Sequence, residues 1–404
     1  MDPQTSNLRS PHSFHEPRRI LVRGVNWLGD AVMTTPALTR LRERFPRAHI
    51  TLLTHEKLAD LWLHHPSLDE ILTFAPNASP WAVARRLRRE TFDVGLVLPY
   101  SHRSALEIWL ARIPRRIGYT RGWRFLLMTH AVAPSRGHAV TRKRSIAEIK
   151  RLIRVSPTPN VSSQDSGAAR PGEGKAPAVG SGAHQIHEYL HLAAALGANA
   201  EPVEPFLEVR DDELHAVREK WLSGPRTSTA RLPDGQNPIW LGINPSAAYG
   251  PAKRWPVQNF AVVVREVSQR IGKCGWLVFG DAKDVRLCRE IERAAAPSVI
   301  NLAGQTSLRE LMALLKLCRA VLTNDTGPMH VAAALGTRVV VPFGSTAPDL
   351  TGPGLPGDHR HYMLQSGAPC SPCFRRVCPI DLRCLTGITP AQVVDAVCQA
   401  VSRP

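Results

Sequence analysis

Two short glycine-bearing loops, one near each end of the chain, constrain its fold most strongly. The first, Gly24–Asp30, follows the apolar run Ile20–Val22, and the second, Asn324–His330, follows Ala320–Thr323. Each loop leads into a stretch with helical character, so each predicts a buried strand, a turn and a helix start. That geometry presents backbone N–H groups and the positive end of a helix dipole to an anion. One such loop in each half predicts two α/β domains that face each other across a cleft.

Strand and helix signals alternate through both halves, which predicts two doubly wound parallel sheets. In the first half, the predicted strands are 19–22, 49–53, 71–74 and 94–98, and the predicted helices are 30–45, 57–64, 81–89 and 184–191. In the second half, the predicted strands are 239–244, 276–279, 299–301, 320–323 and 338–343, and the predicted helices are 257–271, 285–294, 307–317 and 330–335. The two halves share this layout without a visible sequence repeat.

Composition divides the chain into a polar tail (1–18), a first domain (19–205) and a second domain (206–404). Pro202 and Pro205 mark the boundary between the two domains. Residues 156–182 are dominated by Ser, Pro, Gly and Ala, a composition that cannot bury a core. We therefore predict that this stretch is a disordered insertion in the first domain.

The chain is strongly basic, with a formal net charge of +17 over 404 residues. Twelve Lys and Arg residues lie between Arg112 and Arg154, against one acid, Glu148. Such a field attracts phosphates, nucleic acid or an anionic membrane surface, and the alternative is a solubilising surface. Nucleic acid is not predicted, because no known binding module accompanies the charge. No apolar run is long enough to span a membrane, and the polar first 17 residues predict a cytoplasmic protein.

Four of the eight cysteines form a cluster with the spacing Cys370-x2-Cys373-x4-Cys378-x5-Cys384. This spacing is compatible with zinc or an iron–sulfur cluster, but it matches no standard finger or ferredoxin pattern. The alternative is a set of structural or incidental thiols, and the sequence leaves the choice open.

Three loops carry the candidate chemistry. Asp30 is either the cap of a helix or a general base. In the second half, Thr326 and the N–H groups that follow it form a candidate pyrophosphate site, and Asp325 is a candidate cap or sugar ligand. His330 follows shortly after in the sequence, and it is either a structural residue or a residue that faces the same pocket. A third loop offers the cation Lys253 beside small residues, and its alternative is an exposed loop.

The spacing Asp-x-Asp, with which many nucleotide-sugar transferases hold a divalent cation, does not occur in the sequence. If a pyrophosphate leaves in this protein, we expect a lysine and a helix dipole to replace the metal. We therefore expect the protein to need no cofactor.

These loops, in this order, resemble those of the ADP-heptose:lipopolysaccharide heptosyltransferases of glycosyltransferase family 9. The resemblance covers about residues 19–395 outside the insertion, and its motifs are specific as a set. The stretches that carry it are 23–31, 113–119, 242–256 and 324–334, with a similar cysteine-containing tail at 370–378. The resemblance implies a GT-B fold, in which the first domain binds the acceptor and the second binds ADP-heptose.

The resemblance also implies roles for individual residues. Asp30 falls on the proposed general base, and Lys253 is expected to stabilise the leaving diphosphate. The residues expected to bind the donor are Ser246, Lys253, Asp325, Thr326, Gly327 and His330, with Ser246 standing where the family usually has glycine. Asn26, Arg116 and Arg121 are expected to bind the acceptor.

The implied reaction is an inverting, metal-independent transfer of L-glycero-D-manno-heptose to the first heptose of the lipopolysaccharide inner core. The implied partners are ADP-heptose, a lipid A–Kdo–heptose acceptor and the cytoplasmic face of the inner membrane. A rival enzyme of the same family would share the donor loops but use a different acceptor. A rival of another class, a nucleotide- or anion-binding protein without catalysis, leaves Asp30 and the cleft unexplained. A dehydrogenase is disfavoured because no Gly-x-Gly-x-x-Gly follows the first strand.

Overall fold

Two parallel sheets of six strands each organise the chain. The structure, a computed structural model, describes residues 16–135, 142–155, 183–223, 238–295 and 299–403. The first sheet contains β1 (Arg19–Arg23), β2 (His49–His55), β3 (Glu70–Phe74), β4 (Val94–Val97), β5 (Arg115–Tyr119) and β6 (His130–Val132). The second sheet contains β7 (Ile239–Asn244), β8 (Cys274–Val278), β9 (Val299–Asn301), β10 (Ala320–Thr323), β11 (Arg338–Pro342) and β12 (Tyr362–Leu364).

The two sheets have the same topology. The spatial order is β3-β2-β1-β4-β5-β6 in the first and β12-β11-β10-β7-β8-β9 in the second, so the first and fourth strands of each half are central neighbours. This is the doubly wound order, in which ligands bind outside the carboxyl ends of the two central strands. The predicted fold class is confirmed, and every strand predicted from the sequence is present. The structure adds β5, β6 and β12.

Helices cover the sheets. They are α1 (Leu28–Met33), α2 (Thr35–Arg44), α3 (Pro80–Leu87), α4 (His102–Leu110), α5 (Ile146–Val155), α6 (Gln185–Ala194), α7 (Asp211–Val217), α8 (Val257–Ile271), α9 (Val285–Ala295), α10 (Leu308–Leu317), α11 (Gly327–Ala334), α12 (Pro348–Thr351), α13 (Arg383–Thr386) and α14 (Pro390–Ser402). Short 3-10 helices span Glu56–Trp62, Gly122–Leu127, Pro251–Lys253 and Ala282–Asp284, and a π-helical turn spans Arg218–Leu222. Within these described residues, no helix is long and apolar enough to cross a membrane.

Three predicted helices differ from the observed ones. The predicted helix over 57–64 is a 3-10 helix over Glu56–Trp62. The predicted helix over 30–45 is split into α1 and α2 at Thr34, because Pro36 in the first turn of α2 cannot donate a backbone hydrogen bond to the preceding turn. The predicted helix over 330–335 begins earlier, at Gly327, since Pro328 is well suited to a first helical turn. The helix after each candidate loop begins inside that loop, at Leu28 in the first half and at Gly327 in the second.

The two halves pack directly on each other. One buried apolar cluster contains Ile20 of the first sheet and Val321 of the second. Helices α1 and α11 are in contact. In the connecting segment, the backbone N–H of Phe206 donates to Thr35 Oγ1, and that of Leu207 donates to the carbonyl of Ala334. The connection is thus hydrogen-bonded to both halves.

Helix α5 precedes residues 156–182 in sequence but packs on the second half. Ile149 is buried in the same apolar cluster as Val264 of α8. The backbone N–H of Arg144 donates to the carbonyl of Cys373. The predicted insertion at 156–182 and most of the predicted tail at 1–18 lie outside the described residues. The domain limits therefore stay predictions.

Candidate active site

A buried ion pair fixes the start of the first loop. Arg23, the last residue of β1, lies 2.8 Å from Glu107 of α4, and both side chains are fully buried. The Arg23 guanidinium also donates to the carbonyl of Gly24 and to Asn26 Oδ1. Because a buried charge pair is costly to break, the loop leaves the sheet in one direction. It leads directly into α1.

Asp30 lies in the first turn of α1, two residues after the helix begins. The N-cap position belongs to Trp27, and no side-chain cap hydrogen bond is made there among the described residues. The capping interpretation of Asp30 is therefore wrong. Gln185 Nε2 donates to Asp30 Oδ1 over a long 3.4 Å, so the carboxylate is held loosely.

The surroundings of Asp30 bring its pKa close to neutrality. Desolvation in the cleft is the largest effect and raises the pKa of Asp30 to about 6. The positive charge of Lys253 and the hydrogen bond from Gln185 oppose this rise in pKa. The negative charges of Glu188 and Asp325 add to it. A carboxylate with a pKa near the working pH is suited to accept a proton.

The second half places a lysine and a carboxylate together at the two central strands of its sheet. Lys253 follows β7 and Asp325 follows β10, and Lys253 Nζ lies 2.5 Å from Asp325 Oδ2. Thr346 Oγ1 donates to the same carboxylate oxygen. The Lys253 side chain is 12% exposed and its ammonium lies 5.0 Å from the centre of the Tyr249 ring. The cation is therefore fixed in position but still reachable from the cleft.

Asn324 holds the two loops of the second half together. Its side-chain amide donates to the carbonyl of Pro245, and its side-chain oxygen accepts from the backbone N–H of Trp255. Ser246 is half-buried and donates to Asn244 Oδ1. These hydrogen bonds leave the loop rigid on both sides of Lys253.

The start of α11 is open to a ligand. Thr326 occupies the N-cap position, and its side chain makes no cap hydrogen bond within the described residues. Thr326 and Gly327 are both partly exposed. Pro328 has no N–H and the Met329 N–H donates to the carbonyl of Thr326, so the Gly327 N–H and the helix dipole are the groups that favour an anion at this point.

The two glycine-bearing loops touch. A Cβ added at Gly29 would lie 2.7 Å from His330 Cδ2, and one added at Gly327 would lie 2.8 Å from Leu28 Cβ. Both glycines are needed for this close approach. His330 is buried, and burial lowers its pKa to about 3, so its ring is neutral at physiological pH. His330 therefore contributes packing and a hydrogen-bonding ring rather than a charge.

Of the residues expected to bind the acceptor, two are exposed beside the first loop. Asn26 is exposed next to Trp27. Arg121 is exposed after the carboxyl end of β5, with its guanidinium 5.5 Å from the centre of the Tyr100 ring. Arg116 is in a different place, nearer the amino end of β5, where its guanidinium donates to two backbone carbonyls. The structure does not bring Arg116 together with the other site residues.

Helix α6 adds residues that the sequence did not single out. Gln185 donates to Tyr189 Oη as well as to Asp30, and Tyr100 Oη donates to Glu188. The sequence predicted a helix in this region but contained no signal for its distance from Asp30. Thr346, the partner of Asp325, was also missed.

The cysteine cluster lies in the second half. Cys370, Cys373 and Cys384 are buried, and burial raises the pKa of Cys384 to about 12. In the described part of the chain, no group of three or more His, Cys, Asp or Glu side chains is placed to hold a metal ion. Cys370, Cys373 and Cys384 are packed in the apolar core of the second half.

The sequence is similar to known proteins over most of its length. The sequence profile of Glycosyltransferase family 9 (heptosyltransferase) matches residues 80–170 and 173–383. The lipopolysaccharide heptosyltransferase 2 of Salmonella typhimurium is 28% identical over 83% of this chain and 85% of the relative. The lipooligosaccharide heptosyltransferase 2 of Haemophilus ducreyi is 26% identical over 83% of this chain and 86% of the relative.

A solved structure agrees with the fold. The ADP-heptose lps heptosyltransferase II of E. coli superimposes with a TM-score of 0.69 at 24% identity, covering 95% of this chain and 98% of that one. The profile match spans well over half of the chain, and it confirms the resemblance inferred from the loops. The chain is a glycosyltransferase and belongs to glycosyltransferase family 9, the heptosyltransferases.

Proposed function

We propose that this protein transfers a heptose from ADP-heptose to the first heptose of the lipopolysaccharide inner core, with inversion at the anomeric carbon and without a divalent metal. The relatives named heptosyltransferase 2 support the donor and acceptor. The single observation that carries the mechanism is the loosely held Asp30 carboxylate, which faces the Lys253–Asp325 pair across the contact between the two halves.

Asp30 acts as the general base. The acceptor hydroxyl attacks the anomeric carbon from the face opposite ADP, and its proton passes to the Asp30 carboxylate. A new C–O bond forms while the bond between the anomeric carbon and the diphosphate oxygen breaks, so ADP leaves with the bonding electrons. The sugar carries positive charge in the transition state, as in glycoside hydrolysis. The products are the extended acceptor, ADP and a proton.

Lys253 and the start of α11 stabilise the departing diphosphate. An ammonium group has three N–H donors, and Asp325 uses one of them in the structure. The others are available to phosphate oxygens, and the start of α11 adds the N–H of Gly327 and the positive end of the helix dipole. Asp325 and Thr346 keep Lys253 in place, which lowers the cost of reorganising the site during the reaction.

Gly29 and His330 lie against each other where the two halves meet at the site. Closure keeps water away from the anomeric carbon and so limits hydrolysis of the donor. The acceptor carries acyl chains, so the reaction takes place at a membrane surface. We therefore propose that the protein acts at the cytoplasmic face of the inner membrane.

A transfer assay read by mass spectrometry tests the proposal. Purified protein is incubated with ADP-heptose and either a mono-heptosylated or a non-heptosylated core acceptor, in the presence of a chelator. We expect one heptose to be added to the mono-heptosylated acceptor alone. Transfer to the non-heptosylated acceptor would instead identify the rival acceptor. Loss of transfer in the chelator, with recovery on adding magnesium or manganese, would overturn the metal-independent mechanism.

A further inference from the structure

Four large apolar side chains are exposed together on one side of the first half. Trp109 lies near the end of α4, and Trp123, Phe125 and Leu126 lie in the 3-10 helix Gly122–Leu127; their exposed fractions range from 45% to 67%. The two helices pack against each other. We call these four residues the aromatic surface. Apolar groups this exposed and this close together mark a site of interaction rather than an ordinary solvent-facing surface.

The fold holds these side chains outward. Arg124 and Leu127, from the same 3-10 helix, are buried and occupy the inward positions. A Cβ at Gly118 of β5 would lie 2.9 Å from Arg124 Nη2, so the sheet makes room for that side chain. His102, at the start of α4, stacks on Trp123 with ring centroids 4.6 Å apart. Trp123 is therefore held by a ring contact, and the inward positions of the 3-10 helix are filled by Arg124 and Leu127.

The charge around the aromatic surface has one sign. Residues 101–135 contain six arginines and one acidic residue, Glu107. Glu107 is fully buried and is paired with Arg23 and Arg103, so no carboxylate of this stretch reaches the solvent. Arg112 and Arg121 are both exposed and lie between Trp109 and Trp123 in the sequence. Exposed tryptophans accompanied by arginines complement the interface of a bilayer with anionic headgroups.

The aromatic surface adjoins the candidate active site. The 3-10 helix follows Tyr119, the last residue of β5, at the same sheet edge as the first loop. Tyr119 stacks on Tyr100, with ring centroids 5.2 Å apart, and Tyr100 Oη donates to Glu188. Glu188 in turn acts electrostatically on Asp30. The 3-10 helix that carries three residues of the aromatic surface therefore begins close in sequence to the groups that act on the predicted base.

We propose that the aromatic surface docks this protein on an anionic lipid bilayer and thereby presents the carboxyl edge of the first sheet to a membrane-anchored acceptor. This inference rests on the proposed function for the identity of the acceptor. Trp109, Trp123, Phe125 and Leu126 would enter the headgroup region, while Arg112 and Arg121 would contact lipid phosphates. Docking in this orientation brings the sugar of the acceptor to the cleft while its acyl chains stay in the bilayer.

Vesicle co-sedimentation with the full chain tests the docking. The probes are vesicles of phosphatidylethanolamine with phosphatidylglycerol, and vesicles of phosphatidylcholine alone. We expect the wild-type protein to bind the anionic vesicles at least about tenfold more tightly, with affinity that falls as salt rises. The triple variant Trp123→Ser/Phe125→Ser/Leu126→Ser should lose at least about tenfold in affinity for them.

Two matched controls lie in the second half. Val377→Ser changes an apolar side chain that is 64% exposed, and it should leave vesicle binding unchanged. Arg112→Ser should weaken binding to anionic vesicles, whereas Arg286→Ser, at an exposed position of α9, should not. Failure of the wild-type protein to bind anionic vesicles at low salt, or full binding by the triple variant, would overturn the proposal.

Transfer assays separate this proposal from the proposed function. On a water-soluble acceptor without acyl chains, the triple variant should transfer as fast as the wild type; on an acceptor embedded in vesicles it should be slower. Loss of transfer to the soluble acceptor in the triple variant would show that the surface serves the active site, and would overturn docking. Absence of transfer by the wild type to either acceptor would refute the proposed function, while the vesicle measurements would still decide docking.

Discussion

The two halves of this protein have the same strand order, but each surrounds the carboxylate at the end of its sheet differently. Asp30 follows β1, receives one long hydrogen bond from Gln185 and has a raised pKa. Asp325 follows β10 and contacts both Lys253 and Thr346. The same topology thus presents one carboxylate that is ready to take a proton and one whose negative charge is paired with a lysine. The sheet topology therefore places each carboxylate, and the neighbouring side chains determine its chemical role.

The largest expected effect is on stability and distinguishes the two carboxylates. Asp325→Ala should lower the free energy of unfolding by about 3–5 kcal/mol, because it leaves the largely buried Lys253 without its counter-charge. Asp30→Asn should not lower it, since burial already disfavours the charged form of Asp30. Denaturant unfolding of both variants at pH 7.5 measures the difference. Equal losses would remove the distinction between the two groups.

The next effect is on catalysis and concerns Asp30 alone. Asp30→Asn keeps the size of the side chain but cannot accept a proton, so transfer should fall by at least about 100-fold. Donor affinity, measured by calorimetry with ADP, should stay similar because the diphosphate contacts lie in the other half. Near-normal turnover in a folded Asp30→Asn protein would mean that another group is the base.

Lys253→Ala should weaken donor binding and also slow transfer. The ammonium interacts with the diphosphate before and during its departure, and a lost charge-assisted contact is typically worth about 1.5–3 kcal/mol. A loss of about 10- to 100-fold in kcat/KM is expected. The matched control is Lys316→Ala in α10, whose ammonium donates to the carbonyl of Val209 and which we expect to leave kcat/KM unchanged. Unchanged kinetics in Lys253→Ala would limit this lysine to its ion pair with Asp325.

The sequence predicted the strands and loops that carry the two carboxylates better than it predicted the contacts of those carboxylates. A strand, a glycine and a helix start are local features, so both loops and nine strands could be predicted correctly. The break at Thr34 was also visible in principle, because Pro36 is in the sequence. Contacts between residues that are distant in the sequence could not be predicted in this way. Gln185 lies far from Asp30 in sequence, and nothing local indicates that its amide reaches that carboxylate.

Arg116 shows the same limit for the acceptor side. Its charge and its place in a family-like motif suggested a ligand, but the strand β5 was not predicted from the sequence. The direction and register of that strand decide whether a side chain lies at the carboxyl edge. Arg116 pairs with Gly95 of β4, below the edge, whereas Gly118 pairs with Val97 at the edge itself. Arg121 follows beyond that edge, in a position that suits the acceptor.

The smallest expected effect tests whether the surroundings of Asp30 set its pKa. For the wild type, kcat/KM should be flat above pH 7 and should fall about tenfold per pH unit below the pKa of about 6, because the base must be ionised. Gln185→Leu removes a hydrogen bond that lowers the pKa of Asp30, so the acidic limb should move to higher pH. Glu188→Gln removes a negative charge that raises this pKa, so the limb should move to lower pH. Each variant should change kcat/KM by only a few-fold at pH 6 and very little at pH 8, where Asp30 is ionised in all three proteins.

A merely structural role for Gln185 or Glu188 would lower the whole pH profile of kcat/KM without moving its acidic limb. Opposite shifts from two neighbours on α6 are what a base in this electrostatic setting requires, and shifts in the same direction would contradict it.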